Sequence, residues 1–178
     1  MKNINPKHTR SLAIALSTRG FGFAVLEGAE TLVDWGVKTV KGDKNSQCLA
    51  KVECLIVHYQ PALIILQDLS AKDSRRSARI RTLSLAIIEM VVARRLKVAL
   101  VSGTQINQMF FGKIQGTKYA RAQIIAKRFP EELGFRLPPK RRAWMSEDYR
   151  MAIFDAVALG LVARSRKPGK KSHTNRAH

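Results

Sequence analysis

Residues 62–70 read ALIILQDLS, directly after Pro61, and Leu63 to Leu66 are four large aliphatic residues in a row. A strand with one wet face alternates apolar and polar residues, whereas a short unbroken apolar run belongs to a strand buried on both faces. Such a strand calls for a sheet with helices on its faces, and the rest of the chain supplies the parts. Ser11–Leu26 reads as two strands joined by a turn at Ser17–Gly20, and Thr31–Val40 as a third after Gly28. Three strands before any helix point to an antiparallel meander. Ser46–His58 carries Leu49, Val52, Ile56 and Val57 at helical spacing. A long helix is expected over Arg75–Leu96, with Leu83, Ile87, Met90 and Val91 as its main stripe. Leu85, Ala86 and Val92 widen that stripe, which fits either a deeper core or a partner surface. Lys97–Ser102 reads as a fifth strand, Thr104 and Gln105 as the start of a helix, and Tyr119–Phe129 as a basic helix followed by a loop over Leu137–Arg142. The last helix is expected from Ser146, as N-cap, to about Ala163. The order is that of an α/β protein with a mixed sheet.

With 178 residues, 46% of them hydrophobic, one domain with a substantial core is expected. We divide the chain into a flexible basic arm (1–10), a folded domain (11–163) and a disordered basic tail (164–178). No apolar run reaches the roughly 18 residues of a membrane span. The polar start MKNINPKHTR has no secretory h-region, and Cys48 and Cys54 have no zinc spacing, so a reduced, cytoplasmic setting is expected. His8, His58, His173 and His178 are scattered, and Ser17 and Thr18 have no His/Asp partner arranged for nucleophilic chemistry.

Charge is the clearest functional signal: 32 Lys and Arg against 13 Asp and Glu, a net +19. Six of the basic residues lie from Arg164 onward with no acid, which leaves 26 against 13 in the remainder. A compact domain this basic is suited to a polyanion, and nucleic acid is the expected partner. The cations cluster. Arg75, Arg76, Arg79 and Arg81 open the long helix; Lys113, Lys118, Arg121, Lys127 and Arg128 flank the Gly112–Gly116 turn; Lys140, Arg141 and Arg142 precede Trp144. Guanidinium groups match phosphate oxygens, and a Gly-containing turn lets backbone N–H groups approach them. Trp144 either stacks on an unpaired base or packs as a core or lid residue.

Four segments in order, AIALSTRGFGFAV, ALIILQDLSAK, QINQMFFGKIQGTKYARAQII and FDAVALGLV, resemble the RuvC family of Holliday-junction resolvases within the RNase H-like superfamily. The resemblance spans about residues 11–163. It implies an RNase H-like mixed five-stranded sheet flanked by helices, branched DNA as partner, and a homodimer through the helix at 75–96. It also implies four carboxylates holding two Mg²⁺ ions, one activating water and the other stabilising the leaving oxygen. Carried onto this chain, the four positions fall at Leu16, Gln67, Ala152 and Asp155, of which only Asp155 is an acid. The first loss does not depend on alignment, since residues 1–26 contain no Asp or Glu. Asp68 neighbours Gln67 but should face the other way along a strand.

Asp155 lies in an apolar stretch of the last helix, so its carboxylate calls for a cation, such as Arg19 or Arg150, or a metal. Asp148, seven residues earlier, should share its face, as a relocated ligand or, with Glu147, as a complement to the positive helix start. The leading expectation is a protein that binds branched DNA without cleaving it and without a cofactor. One alternative is an active Mg²⁺-dependent junction endonuclease using Asp68, Asp148 and Asp155. The other is an RNA-binding accessory protein.

Overall fold

The structure, a computed structural model, describes residues 9–70 and 76–165. Five strands form one mixed sheet in the order β3-β2-β1-β4-β5. β1 (Arg10–Ser17), β2 (Gly20–Glu27) and β3 (Thr31–Thr39) make the antiparallel meander. β4 (Leu63–Gln67) then pairs parallel to β1, and β5 (Lys97–Val101) parallel to β4. β4, the strand of the unbroken apolar run, thus has a neighbour on each side, and Ile64 and Ile65 are both fully buried although they point to opposite faces.

Two cores result. Leu12, Ile14, Ile64 and Leu66 face α1 (Lys44–Tyr59) and α2 (Ala78–Ala93), where Val52, Leu83, Ile87 and Val91 meet them. Ala13, Ala15, Ile65 and Val101 face α6 (Met151–Ser165), backed by α3 (Gly103–Phe111), α4 (Lys118–Arg128) and the single turn α5 (Pro130–Leu133). α6 is apolar nearly all round because it runs between the sheet and these helices. Two glycines let it lie close. A Cβ on Gly22 would come 2.1 Å from the carbonyl oxygen of Ala152, and one on Gly160 would come 2.4 Å from Leu26 Cδ1. Side-chain caps set the starts of α1, α2, α3 and α4: Asp43, Ser77, Ser102 and Thr117 each accept an N–H from the first turn.

The last helix departs from expectation at both ends. It opens at Met151, not after Ser146. Asp148 holds the entry instead: its carboxylate accepts the Arg150 N–H at 2.9 Å and its carbonyl accepts the Met151 N–H at 3.0 Å. At the far end α6 continues to Ser165, because Arg164 is part of the fold. Its Nε–H donates to the Gly28 carbonyl at 2.7 Å and an Nη2–H to that of Thr9. Arg164 therefore belongs to the domain rather than the tail; residues 166–178 and 1–8 lie outside the described residues. The widened stripe of α2 divides: Leu83, Ile87 and Val91 are core, while Leu85 and Val92 are 61% and 60% exposed. Among the described residues no helix is long and apolar enough to cross a membrane.

Candidate nucleic-acid interface at the end of the sheet

Gly22 pairs with Ala15 near the end of β1, and Ala152 of α6 rests on Gly22. The start of α6 therefore lies over the C-terminal end of β1, and Asp155, one turn further, projects from this region. Strand alternation puts Ala13 and Ala15 on the α6 face, whereas Leu16 follows Leu12 and Ile14 onto the α2 side, against Leu66 and Ile80. Leu16 therefore does not share a face with Asp155, whereas Ala13, Ala15 and Ser17 lie on the α6 side of β1 by the same alternation. None of the four is a carboxylate. Gln67 ends β4, where its Oε1 accepts an N–H of Arg76 at 3.3 Å.

Asp155 is ion-paired twice, to cations other than the two expected. Lys118 Nζ lies 2.7 Å from Oδ2 and Arg121 Nη2 lies 2.9 Å from Oδ1. The three-residue spacing puts both cations on one side of α4, and the Thr117 cap fixes where that helix begins. Lys118 also binds Glu147 at 2.8 Å. Two cations thus hold two carboxylates. Arg150, one expected partner, is committed to Asp148 at 2.7 Å, and the other, Arg19, stands exposed in the β1–β2 turn.

The remaining acids do not join this site. Asp68 accepts the N–H and the hydroxyl of Ser70 at 2.9 and 2.6 Å, bonds that hold its carboxyl below the usual range. Asp148 precedes α6 instead of sharing a face with Asp155, and its bond to the Arg150 guanidinium likewise holds its carboxyl low. Among the described residues no three Asp, Glu, His or Cys side chains gather in a way that would hold a metal. A pair of Mg²⁺ ions needs several anionic oxygens, and here the one carboxylate of the α6 face is taken up by an ammonium and a guanidinium. The donor set does not fit the two ions that the family resemblance implied.

The arginines of the α2 start turn out to grip backbone. Arg76 donates to the Leu16 carbonyl at 3.3 Å, and Arg79 to Ser17 and Thr18 carbonyls at 3.4 Å and to Asn45 Oδ1 at 3.0 Å. Arg81 donates to the Leu69 carbonyl at 3.0 Å. They fix the ends of β1 and β4 and leave positive charge there; Arg75 lies outside the described residues. Lys113 is exposed on the Gly112–Gly116 turn, which Asn107 braces by bonds to the Ile114 carbonyl and the Gly116 N–H. Lys140, Arg141 and Arg142 are exposed on the loop before α6. Trp144 is 77% exposed, with the Arg142 guanidinium 5.4 Å from its ring centre, so the core reading of this residue does not hold.

What sequence reasoning missed is the pairing of Lys118 and Arg121 with Asp155. Their spacing on a basic helix was visible, but nothing in one sequence says which acid that helix faces.

No family model matches the sequence, and no curated protein is significantly similar to it. Among solved structures the chain is similar to Thermus thermophilus RuvC, with a TM-score of 0.63 at 13% identity, over 86% of this chain and 92% of that one. T. thermophilus RuvC in complex with Holliday junction substrate gives 0.62 at 14% identity, over 87% and 92%. The yeast mitochondrial Holliday junction resolvase Ydc2 gives 0.59 at 11% identity, over 89% and 79%. The fold is the RNase H-like one of RuvC: a mixed five-stranded sheet flanked by helices.

Proposed function

We propose that this chain is a RuvC-like nucleic-acid-binding protein that recognises branched DNA and does not cleave it. The likeness in fold to a protein solved with Holliday junction DNA supports the substrate class, and the net charge of +19 supports the affinity. One observation carries the loss of cleavage: Asp155 is held by Lys118 and Arg121. Those two cations neutralise the carboxylate in place, and phosphate is left to the other basic side chains of the surface. Fixed charge binds phosphate well, but it does not lower the pKa of a bound water as a divalent metal does. Binding therefore needs no divalent ion. On this reading residues 9–165 are the binding domain, the flanking basic segments add non-specific affinity, and a homodimer forms through α2, whose exposed Leu85 and Val92 are its contact residues.

The test incubates the purified protein and Asp155→Ala with a labelled four-way junction in Mg²⁺, Mn²⁺ or EDTA, reading binding and cleavage from the same samples. The expected result is binding that survives EDTA, weakens steeply as salt rises, and yields no product. Metal-dependent cleavage that disappears in Asp155→Ala would overturn the reading. A preference for structured RNA over the junction at physiological salt would count against DNA.

A further inference from the structure

We propose that Trp144 is the stacking surface for one unpaired base of bound DNA, with Lys140 and Arg142 contacting the flanking phosphates. The inference rests on the DNA-binding reading above and gives it a specificity element.

Four observations carry it. First, a side chain with as much apolar area as Trp is 77% exposed and belongs to neither core. Second, the turn that presents it is braced. The Met145 N–H donates to the Arg142 carbonyl at 3.0 Å and Arg141 Nη1 donates to the Met145 carbonyl at 2.8 Å. The loop is tied down before and after this turn, by the Tyr119 hydroxyl donating to the Pro138 carbonyl at 3.1 Å and by the Lys118–Glu147 ion pair. A platform already fixed in place loses little freedom when a ligand lands on it. Third, the charge is right. Glu147 and Asp148 are neutralised by Lys118 and Arg150, while Lys140 and Arg142 have no carboxylate partner among the described residues. Fourth, a cleft of about 310 Å³ adjoins the turn, lined by Tyr119, Pro139, Lys140 and Arg141 as well as the two neutralised acids. Its volume lies in the range of small-ligand sites.

A base within a duplex has both faces covered by its neighbours, so only an unpaired one offers a free face to Trp144. Arg142 over the ring adds a cation–π contact, and Trp144 remains 77% exposed with it there. The occupant that suits an exposed ring among unpaired cations is therefore a nucleotide released from the stack, as at a gap or branch point.

The experiment compares wild type, Trp144→Phe and Trp144→Ala on two DNAs of one sequence, fully paired or with 2-aminopurine as the sole unpaired base. Circular dichroism checks that each variant is folded. Wild type should quench the unpaired 2-aminopurine. Trp144→Ala should lose the quenching and bind that DNA about 5- to 150-fold more weakly, with Trp144→Phe close to wild type and duplex affinity alike in all three. Equal quenching and an unchanged preference in Trp144→Ala would overturn the stacking role and leave DNA binding standing. No DNA binding by wild type at low salt would overturn both. Tryptophan fluorescence that changes with protein concentration alone, and only when Trp144 is present, would assign the surface to a second copy of the chain.

Discussion

The carboxylate of Asp155 and the guanidinium of Arg121 are each only 17% exposed, so both have given up most of their water. Arg121 is tolerable there because of Asp155, and Asp155 because of Arg121 and Lys118 together; without Arg121 it keeps only Lys118, which Glu147 shares. Arg121→Met should therefore lower stability by about 1–3 kcal/mol, a fall in Tm of several degrees for a chain of this size. Combining it with Asp155→Asn should restore part of the loss, because the under-compensated charge is then gone. Strictly additive losses in a double-mutant cycle would refute the coupling. From the sequence, Asp155 was recognisable as an acid in an apolar helix that demanded a cation. The cation was not, since Arg121 is 34 residues away and meets Asp155 only through the packing of α4 on α6. The same limit applies to Leu16: its neutrality was legible, but which face of β1 it occupies followed only from the register of the folded sheet.

At the scale of elements, α6 is held at a separation from the sheet that only glycine permits. Gly22→Ala would drive a methyl group into the backbone of Ala152, where neither partner has a soft direction of escape. Gly160→Ala meets the end of the Leu26 side chain, which can rotate aside. Thermal melts should rank the two, Gly22→Ala losing about 3 kcal/mol or more and Gly160→Ala clearly less; the reverse order would mean that α6 does not approach β2 as described. The five strands and the main helices were legible because apolar periodicity and turn residues mark them locally. The start of α6 was not. Ser146 has the chemistry of a cap, yet Asp148 bonds Arg150 and takes over the entry, a competition between neighbouring polar residues that local rules do not decide.

Across the whole molecule, the basic surface and the exposed apolar strip of α2 make separate demands. If α2 is the dimer seam, sedimentation should give a dimer for wild type and a monomer for the Leu85→Glu/Val92→Glu variant, with circular dichroism unchanged. A wild-type monomer at tens of micromolar would remove the dimer from the proposal. The excess of positive charge was the plainest message of the sequence, but its division of labour was hidden. Arg76 and Arg79 hold backbone carbonyls, Lys118 and Arg121 hold Asp155, and Lys140 and Arg142 have no carboxylate partner among the described residues. Finally, Arg164 reaches from the last helix to the carbonyls of Thr9 and Gly28, so the first and last described residues, 9 and 165, lie at one corner. Topologically it is almost a ring: a short linker from residue 165 to residue 9 would close it, and the chain could then be opened at a surface loop with every strand neighbour kept.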